Sequence, residues 1–266
     1  RPSRPVNLAG EFGRLLVYSP DGRHLATAKD NGIVLWDMAS NPPTQRSLGR
    51  LLMPACIAFS PDGRLAYARP DGIGLVDIDG KYIKPLIEIT PYNTRSDWAW
   101  LPSLAWGADG KTLFYTSHAP PPSLVNEEDS PLFDLSAVSF ENNVGVEIVK
   151  QTGMFAYPSS STLQSSSSER RYQVAYLQAI FPEQSETSRY RVVVMDRDGS
   201  NRRTIFPAND APGLQPQTPA WAPDPIDGQA GDFIAVVYQG NLCTEPVFDP
   251  AQVAAAAAAV ALLNTF

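Results

Sequence analysis

Tyr18-Ser19-Pro20-Asp21-Gly22-Arg23 recurs as Phe59-Ser60-Pro61-Asp62-Gly63-Arg64, 41 residues further along the chain. Trp106-Gly107-Ala108-Asp109-Gly110-Lys111 is a third copy, 47 residues beyond the second. Ser166-Ser167-Ser168-Glu169-Arg170-Arg171 reads as a degenerate fourth, and a fifth opens at Trp221-Ala222-Pro223-Asp224. Short apolar runs follow the anchors: His24 to Ala28, Leu65 to Ala68, Thr112 to Thr116, Tyr172 to Leu177 and Phe233 to Tyr238. A second run, ending in aspartate, follows in the clearest copies: Ile33 to Asp37, Ile73 to Asp77 and Arg191 to Asp196. Runs of this length, rich in Val, Ile, Leu and Tyr, read as strands. Pro-Asp-Gly supplies the turn between them: proline presets φ, aspartate bonds the local backbone, and glycine accepts positive φ.

Each unit therefore reads as strand, tight turn, strand, loop, strand, turn, strand. Four antiparallel strands at a period of about 40 to 45 residues are the signature of a β-propeller blade. The sequence predicts an all-β propeller with blades at approximately 14–50, 51–90, 101–150, 151–207 and 216–250. Residues 1–250 form one propeller domain in this reading, and 251–266 an alanine-rich tail. That tail reads literally as a helix, alanine being the strongest helix former. The fifth blade looks unfinished, since Cys243-Thr244-Glu245-Pro246 is not a strand-like run.

The copies at 17–37 and 57–80 resemble the WD-repeat-like blades of the TolB-type propeller superfamily. Residues 192–206, VVVMDRDGSNRRTIF, resemble the second half of such a blade, and Trp36-Asp37 echoes the dipeptide that names WD repeats. The resemblance spans roughly residues 14 to 245 and is specific for architecture. It implies a ring that most often has six blades. Five visible anchors then predict a portion of a six- to eight-bladed ring from a longer parent, or a last blade completed by Arg1 to Phe12. It also implies a bacterial, extracytoplasmic setting, periplasmic or cell-surface. The superfamily includes adaptors and enzyme-gating domains.

Composition narrows the function. The 25 prolines, about 9% of the chain against a usual ~5%, argue against a helical bundle. Twenty-one basic against 28 acidic residues give a net charge of −7. This disfavours nucleic acid, whose phosphates need a basic surface, and anionic lipid. No apolar run reaches the 18 residues of a membrane span, and no signal peptide opens the chain as given. Two cysteines and two histidines exclude a disulfide framework and a repeated Cys/His zinc site. Cys56 and Cys243 fall in the second and fifth blades, too far apart for a disulfide.

No chemistry motif emerges. Gly-x-Ser-x-Gly is absent, as is a phosphate-binding Gly-x-x-x-x-Gly-Lys-Ser/Thr loop. Asp196 to Asn201 superficially resembles a calcium loop but lacks its third acid and closing glutamate; it reads as a hairpin turn. Seven serines between Ser159 and Ser168 read as a degenerate strand and turn, or as a flexible or O-glycosylated patch. No catalytic residue, metal ligand or cofactor is predicted.

Strand alternation sorts the connections onto two faces. The tight turns fall on a first face. The long segments Ile89 to Trp100, Ser117 to Asp134, Ala179 to Arg189 and Pro207 to Pro216 fall on the second, with Asp224 to Gly231 a long exception on the first. Long connections are often functional. The first of them carries Tyr92, Arg95, Trp98 and Trp100, and aromatics beside arginine are typical interface anchors. Their alternative is packing of Trp98 and Trp100 against the next blade. The acidic triplet Glu127-Glu128-Asp129 reads as a solvated face. The leading expectation is a noncatalytic scaffold whose partner is another protein or a multi-subunit assembly, docked on the insertion-bearing face through Tyr92, Arg95, Trp98 and Trp100. The alternatives are a gating propeller of a larger hydrolase or peptidase, and a glycan or small-molecule binder at the central channel.

Overall fold

A computed structural model describes residues 15–29, 32–48, 56–80, 83–163, 172–222 and 233–247. The first sheet holds β1 (Leu15–Tyr18), β2 (His24–Lys29), β3 (Gly32–Asp37) and β4 (Thr44–Ser47). The second holds β5 (Cys56–Phe59), β6 (Leu65–Arg69), β7 (Gly72–Val76) and β8 (Ile83–Glu88). The third holds β9 (Leu104–Trp106), β10 (Thr112–His118), β11 (Phe133–Ser139) and β12 (Val144–Val149). The fourth holds β13 (Ser159–Ser160), β14 (Gln173–Ala179), β15 (Tyr190–Asp196) and β16 (Arg203–Phe206). A fifth sheet has three described strands, β17 (Ala220–Trp221), β18 (Phe233–Tyr238) and β19 (Asn241–Pro246). Every sheet is an antiparallel meander in chain order. The first strands of successive sheets lie side by side, β1 by β5, β5 by β9, β9 by β13 and β13 by β17, which makes them the inner strands of a propeller. The only described helical residues are two single 3-10 turns, Glu127–Asp129 and Pro182–Gln184.

The middle strands are nearly continuous apolar runs because both faces of each inner sheet are covered. Side chains alternate across a strand, so neighbours in sequence enter different interfaces. Leu65 and Tyr67 pack with Ala26, Ile33 and Leu35 between the first and second sheets. Ala66 and Ala68, from the same strand, pack with Trp106, Leu113 and Tyr115 between the second and third. Phe114 meets Tyr176 and Val193 between the third and fourth. Ala175 and Leu177 meet Ile234 and Val236 between the fourth and fifth. Leu65, Leu113, Leu135 and Leu177 are fully buried, each contributing about 1.5–3 kcal/mol of transfer free energy.

The anchor turns are hydrogen-bonded devices. Ser19 Oγ donates to Asp21 Oδ1 (2.5 Å) and accepts the His24 N–H (2.9 Å). Ser60 does the same with Asp62 (2.5 Å) and Arg64 (2.8 Å). Gly22 and Gly63 take φ of 68° and 88° and close the turns through their N–H groups onto the serine carbonyls. The Ser19 hydroxyl holds the Asp21 carboxyl below the usual carboxylate range, as the Arg64 guanidinium does for Asp62.

The third copy has Gly107 where the first two have serine, and the next blade explains it. Tyr172 OH donates to Asp109 Oδ2 (3.1 Å), and a Cβ on Gly107 would lie 2.3 Å from that hydroxyl. Tyrosine from the fourth blade thus takes the place of the missing serine. Ser160 Oγ accepts the Ala108 N–H (3.1 Å) beside it. Arg64 links the second and third blades at the same face: Nη2 donates to the Gly110 carbonyl (2.9 Å), and the guanidinium lies 3.8 Å from the Phe140 ring centre.

The fifth sheet departs from the sequence reading. Cys243-Thr244-Glu245-Pro246 is part of β19, and all six residues of β18 are paired with it. Gln239 and Gly240 both have positive φ (49° and 81°), a two-residue turn that fixes hairpin register whatever the strand propensity. Cys56 on β5 and Cys243 on β19 are both free and half-buried; burial pushes the Cys56 thiol up. Ser159–Ser160 form the inner strand expected of the serine-rich segment. Asp196 to Asn201 is a turn closed by the Gly199 N–H on the Asp196 carbonyl (2.9 Å). The fourth anchor, the Asp224 to Gly231 turn, the Arg1 to Phe12 segment and the alanine-rich tail lie outside the described residues.

Two outcomes follow for stability. Gly107→Ala drives a methyl into the Tyr172 hydroxyl and should lower the urea unfolding free energy by about 1–3 kcal/mol, whereas Tyr172→Phe, losing one hydrogen bond, should cost about 1 kcal/mol. Equal stability of Gly107→Ala and the parent would contradict the exchange. Burial also pushes the Tyr172, Tyr176 and Tyr190 hydroxyls up, Tyr176 to about 12. The unfolded chain releases these protons near pH ~10 and the folded chain later. The folded state then holds more protons, so stability falls as pH rises past about 10. Urea midpoints measured between about pH 9 and 11 should decline, and Tyr176→Phe should flatten the decline.

Candidate functional site

The second face is built around His118, the last residue of β10. Its ring is buried, with Nδ1 3.0 Å from the Thr90 carbonyl oxygen and Nε2 2.8 Å from that of Ser130. Thr90 belongs to the 89–103 connection and Ser130 to the 119–132 insertion, so one side chain ties both to the blade. Carbonyls only accept, so a neutral ring satisfies one of these contacts and a doubly protonated ring satisfies both. Three aromatic rings enclose it: Phe133 at 5.0 Å, Tyr92 at 5.3 Å and Trp100 at 6.4 Å between centroids.

The predicted anchors separate here. Trp100 is 2% exposed; it packs 4.8 Å from Phe133, and its Nε1 donates to the Met154 carbonyl (2.9 Å). It is a core residue with no surface to offer a partner, the packing alternative having won because a buried carbonyl and an aromatic cluster await the indole. Tyr92 is half-buried against His118 and Phe133, and burial pushes its hydroxyl up, helped by the Glu186 charge. Arg95 and Trp98 are exposed, Trp98 by 37%. Arg95 Nη2 pairs with Asp129 Oδ2 at 3.1 Å, and Asn93 donates its backbone N–H to the Glu128 carbonyl (2.8 Å) and its side-chain Nδ2 to Asp129 Oδ1 (3.2 Å). These bonds join the 89–103 connection to the acidic turn as one surface.

The neighbouring insertions are held as firmly. Tyr190 OH donates to the Ser185 carbonyl (2.7 Å), and Ser188 Oγ accepts the Phe181 N–H (3.0 Å), which presents Phe181 63% exposed. Asp134, buried beside the 150–158 connection, accepts the Gln151 N–H at 2.7 Å, and burial raises its carboxyl above the usual range. A groove of about 560 Å³ lies between the fourth and fifth blades, lined by Arg189, Gln215, Gln217 and Tyr238 among others. Gln217 bonds both the N–H and the carbonyl of Val237 (2.6 and 2.8 Å) and so braces β18.

The sequence puts His118 in the Ser117 to Asp134 insertion and gives it no role, whereas it is the last residue of β10; Phe133 was not singled out. A histidine two residues past the Thr112 to Thr116 run was the available signal, but its two carbonyl partners lie 28 and 12 residues away. His24 stands at the start of β2 beside the first anchor turn. Among the described residues no group of three or more His, Cys, Asp or Glu side chains could hold a metal ion, and no helix is long and apolar enough to cross a membrane.

Sheets stacked with their first strands innermost define a β-propeller. More narrowly, the fold is the TolB-like β-propeller. TolB from Acinetobacter baumannii superposes with a TM-score of 0.53 and 14% identity, over 87% of this chain and 53% of that one. An oligogalacturonate lyase in complex with manganese gives 0.52 and 14%, over 89% and 65%. The tricorn protease gives 0.51 and 13%, over 91% and 25%. The chain thus spans about half of the Acinetobacter protein, and these likenesses show the fold alone. No protein-family model matches the sequence, and no curated protein matches it.

His118→Phe keeps the aromatic packing and removes both carbonyl contacts. Amide hydrogen exchange should then accelerate in the 119–132 insertion and around Thr90, with the sheets unchanged. Unaltered exchange there would show that the histidine holds neither segment.

Proposed function

We propose that this chain is a noncatalytic protein-interaction propeller that docks a partner protein on its second face. The observation that carries the reading is an exposed tryptophan on a braced surface. Trp98 stands on a connection fixed by the Trp100 indole, the His118 ring and the Arg95–Asp129 pair. Rigid aromatic anchors lose little entropy on binding, and tryptophan and arginine are enriched among residues that dominate interfaces. Trp98, Arg95 and the outer edge of Tyr92 are the contact residues in this reading, and Trp100 supports them from beneath. A bacterial, extracytoplasmic setting belongs to the proposal and rests on the TolB-like resemblance of the blade motifs.

The second reading is a propeller that gates a hydrolase domain outside this chain. The fold shared with part of the tricorn protease favours it, and a nucleophile elbow elsewhere in the parent polypeptide would support it.

The test is capture by the immobilised chain from an envelope extract, quantified by mass spectrometry. Trp98→Ala should reduce retention of specific partners about tenfold or more while leaving the unfolding midpoint unchanged. Val146→Ala, on the exposed outer strand β12, should retain them. Equal capture by both variants would overturn the reading.

A further inference from the structure

The insertion face differs from the rest of the molecule in both charge and apolar exposure. Residues 89–103, 119–132, 180–189 and 207–219 contain seven acidic residues, Asp97, Glu127, Glu128, Asp129, Glu183, Glu186 and Asp210, against Arg95 and Arg189. That imbalance of −5 stands against −7 for the whole chain. The turns of the first face instead mix their aspartates with Arg23, Arg64, Lys111, Arg197 and Arg202. Among the described residues Asp129 is the one acid of the seven in an ion pair, with Arg95. Among the described residues the same segments hold five of the eleven exposed large apolar side chains: Trp98 (37%), Leu101 (38%), Leu124 (40%), Val125 (97%) and Phe181 (63%). A groove of about 470 Å³ runs between Thr90 and Asn93 on one side and Val125 to Asp129 on the other, with Val125 and the acidic turn as its wall. The charge of Glu186 reaches Tyr92, which places the 180–189 insertion beside the same surface.

We propose that this face takes a basic segment of a partner protein, one that carries lysine or arginine beside aromatic or aliphatic residues. The inference rests on the docking reading above and specifies its partner. Exposed apolar side chains supply the area to be buried, and complementary charge steers encounter and rejects acidic competitors. Lysine and arginine suit such a surface twice over, since their stems cover apolar area while their heads reach carboxylates. Arg95 does not spoil the match, because its guanidinium is already engaged by Asp129.

Fluorescence anisotropy with a labelled peptide of lysines flanking two tryptophans, and with its glutamate counterpart, tests the proposal. The lysine peptide should bind at low ionic strength and weaken as salt rises. The double variant Glu127→Lys/Glu128→Lys should weaken it about tenfold, while Glu141→Lys on the first face leaves it unchanged. Trp98→Ala should weaken it without altering its salt dependence. Equal binding of the glutamate peptide, no binding of the lysine peptide, or an equal loss in Glu141→Lys overturns the basic-segment inference. Loss of native partner capture in Trp98→Ala together with that result would leave the docking reading standing and refute only the chemistry assigned to the partner.

Discussion

Burial of both faces of every inner sheet is the constraint on which the rest of this structure depends. No four-stranded sheet of this size can hide its apolar residues alone. Stacking makes each middle strand serve two interfaces, one through its odd positions and one through its even ones. β6 divides Leu65 and Tyr67 from Ala66 and Ala68 in this way, and β14 divides Val174 and Tyr176 from Ala175 and Leu177. A one-residue slip in either strand would exchange the contents of two interfaces at once. Register therefore has to be set firmly, and the anchor turns set it. Their serine, aspartate and glycine satisfy the backbone at the point where each hairpin begins.

The turns also hold blades to one another. Arg64 reaches Gly110 in the next blade, and Tyr172 reaches back to Asp109. Gly107 belongs to this arrangement: the residue that looks like a lapse in the repeat is the space that a neighbouring phenol occupies. The polar contacts lie at one end of the stack and the apolar clusters in its middle. Sliding is opposed by the first and separation by the second.

The repeat was legible because its turn chemistry is local. Pro-Asp-Gly specifies a backbone conformation within four residues, and the runs after it alternate or stay apolar according to burial. From these the four-stranded antiparallel sheets of a propeller followed. The third strand of the fifth blade was missed because Cys243 to Pro246 has poor strand character by itself. Its pairing comes from the positive-φ turn at Gln239-Gly240 and from the partner strand β18. Of the candidate site, the aromatic-rich connection stood out in the sequence, and Trp98 is exposed on it. Trp100, two residues on, is buried against Met154 and Phe133, and nothing local distinguishes the two indoles. His118 was invisible as an organiser because both of its partners are backbone carbonyls, which leave no mark in composition.

The placement of the anchor turns has a further consequence. Each first hairpin is registered from its first-face end, whereas the insertions enter at the opposite ends of the strands. Lengthening a second-face connection therefore adds chain beyond the last paired residue and leaves the stacked interfaces as they were. The stack of blades has one conservative rim and one permissive rim. A lineage, or an engineer, can exchange loops on the permissive rim and change what the molecule recognises without renegotiating how it folds.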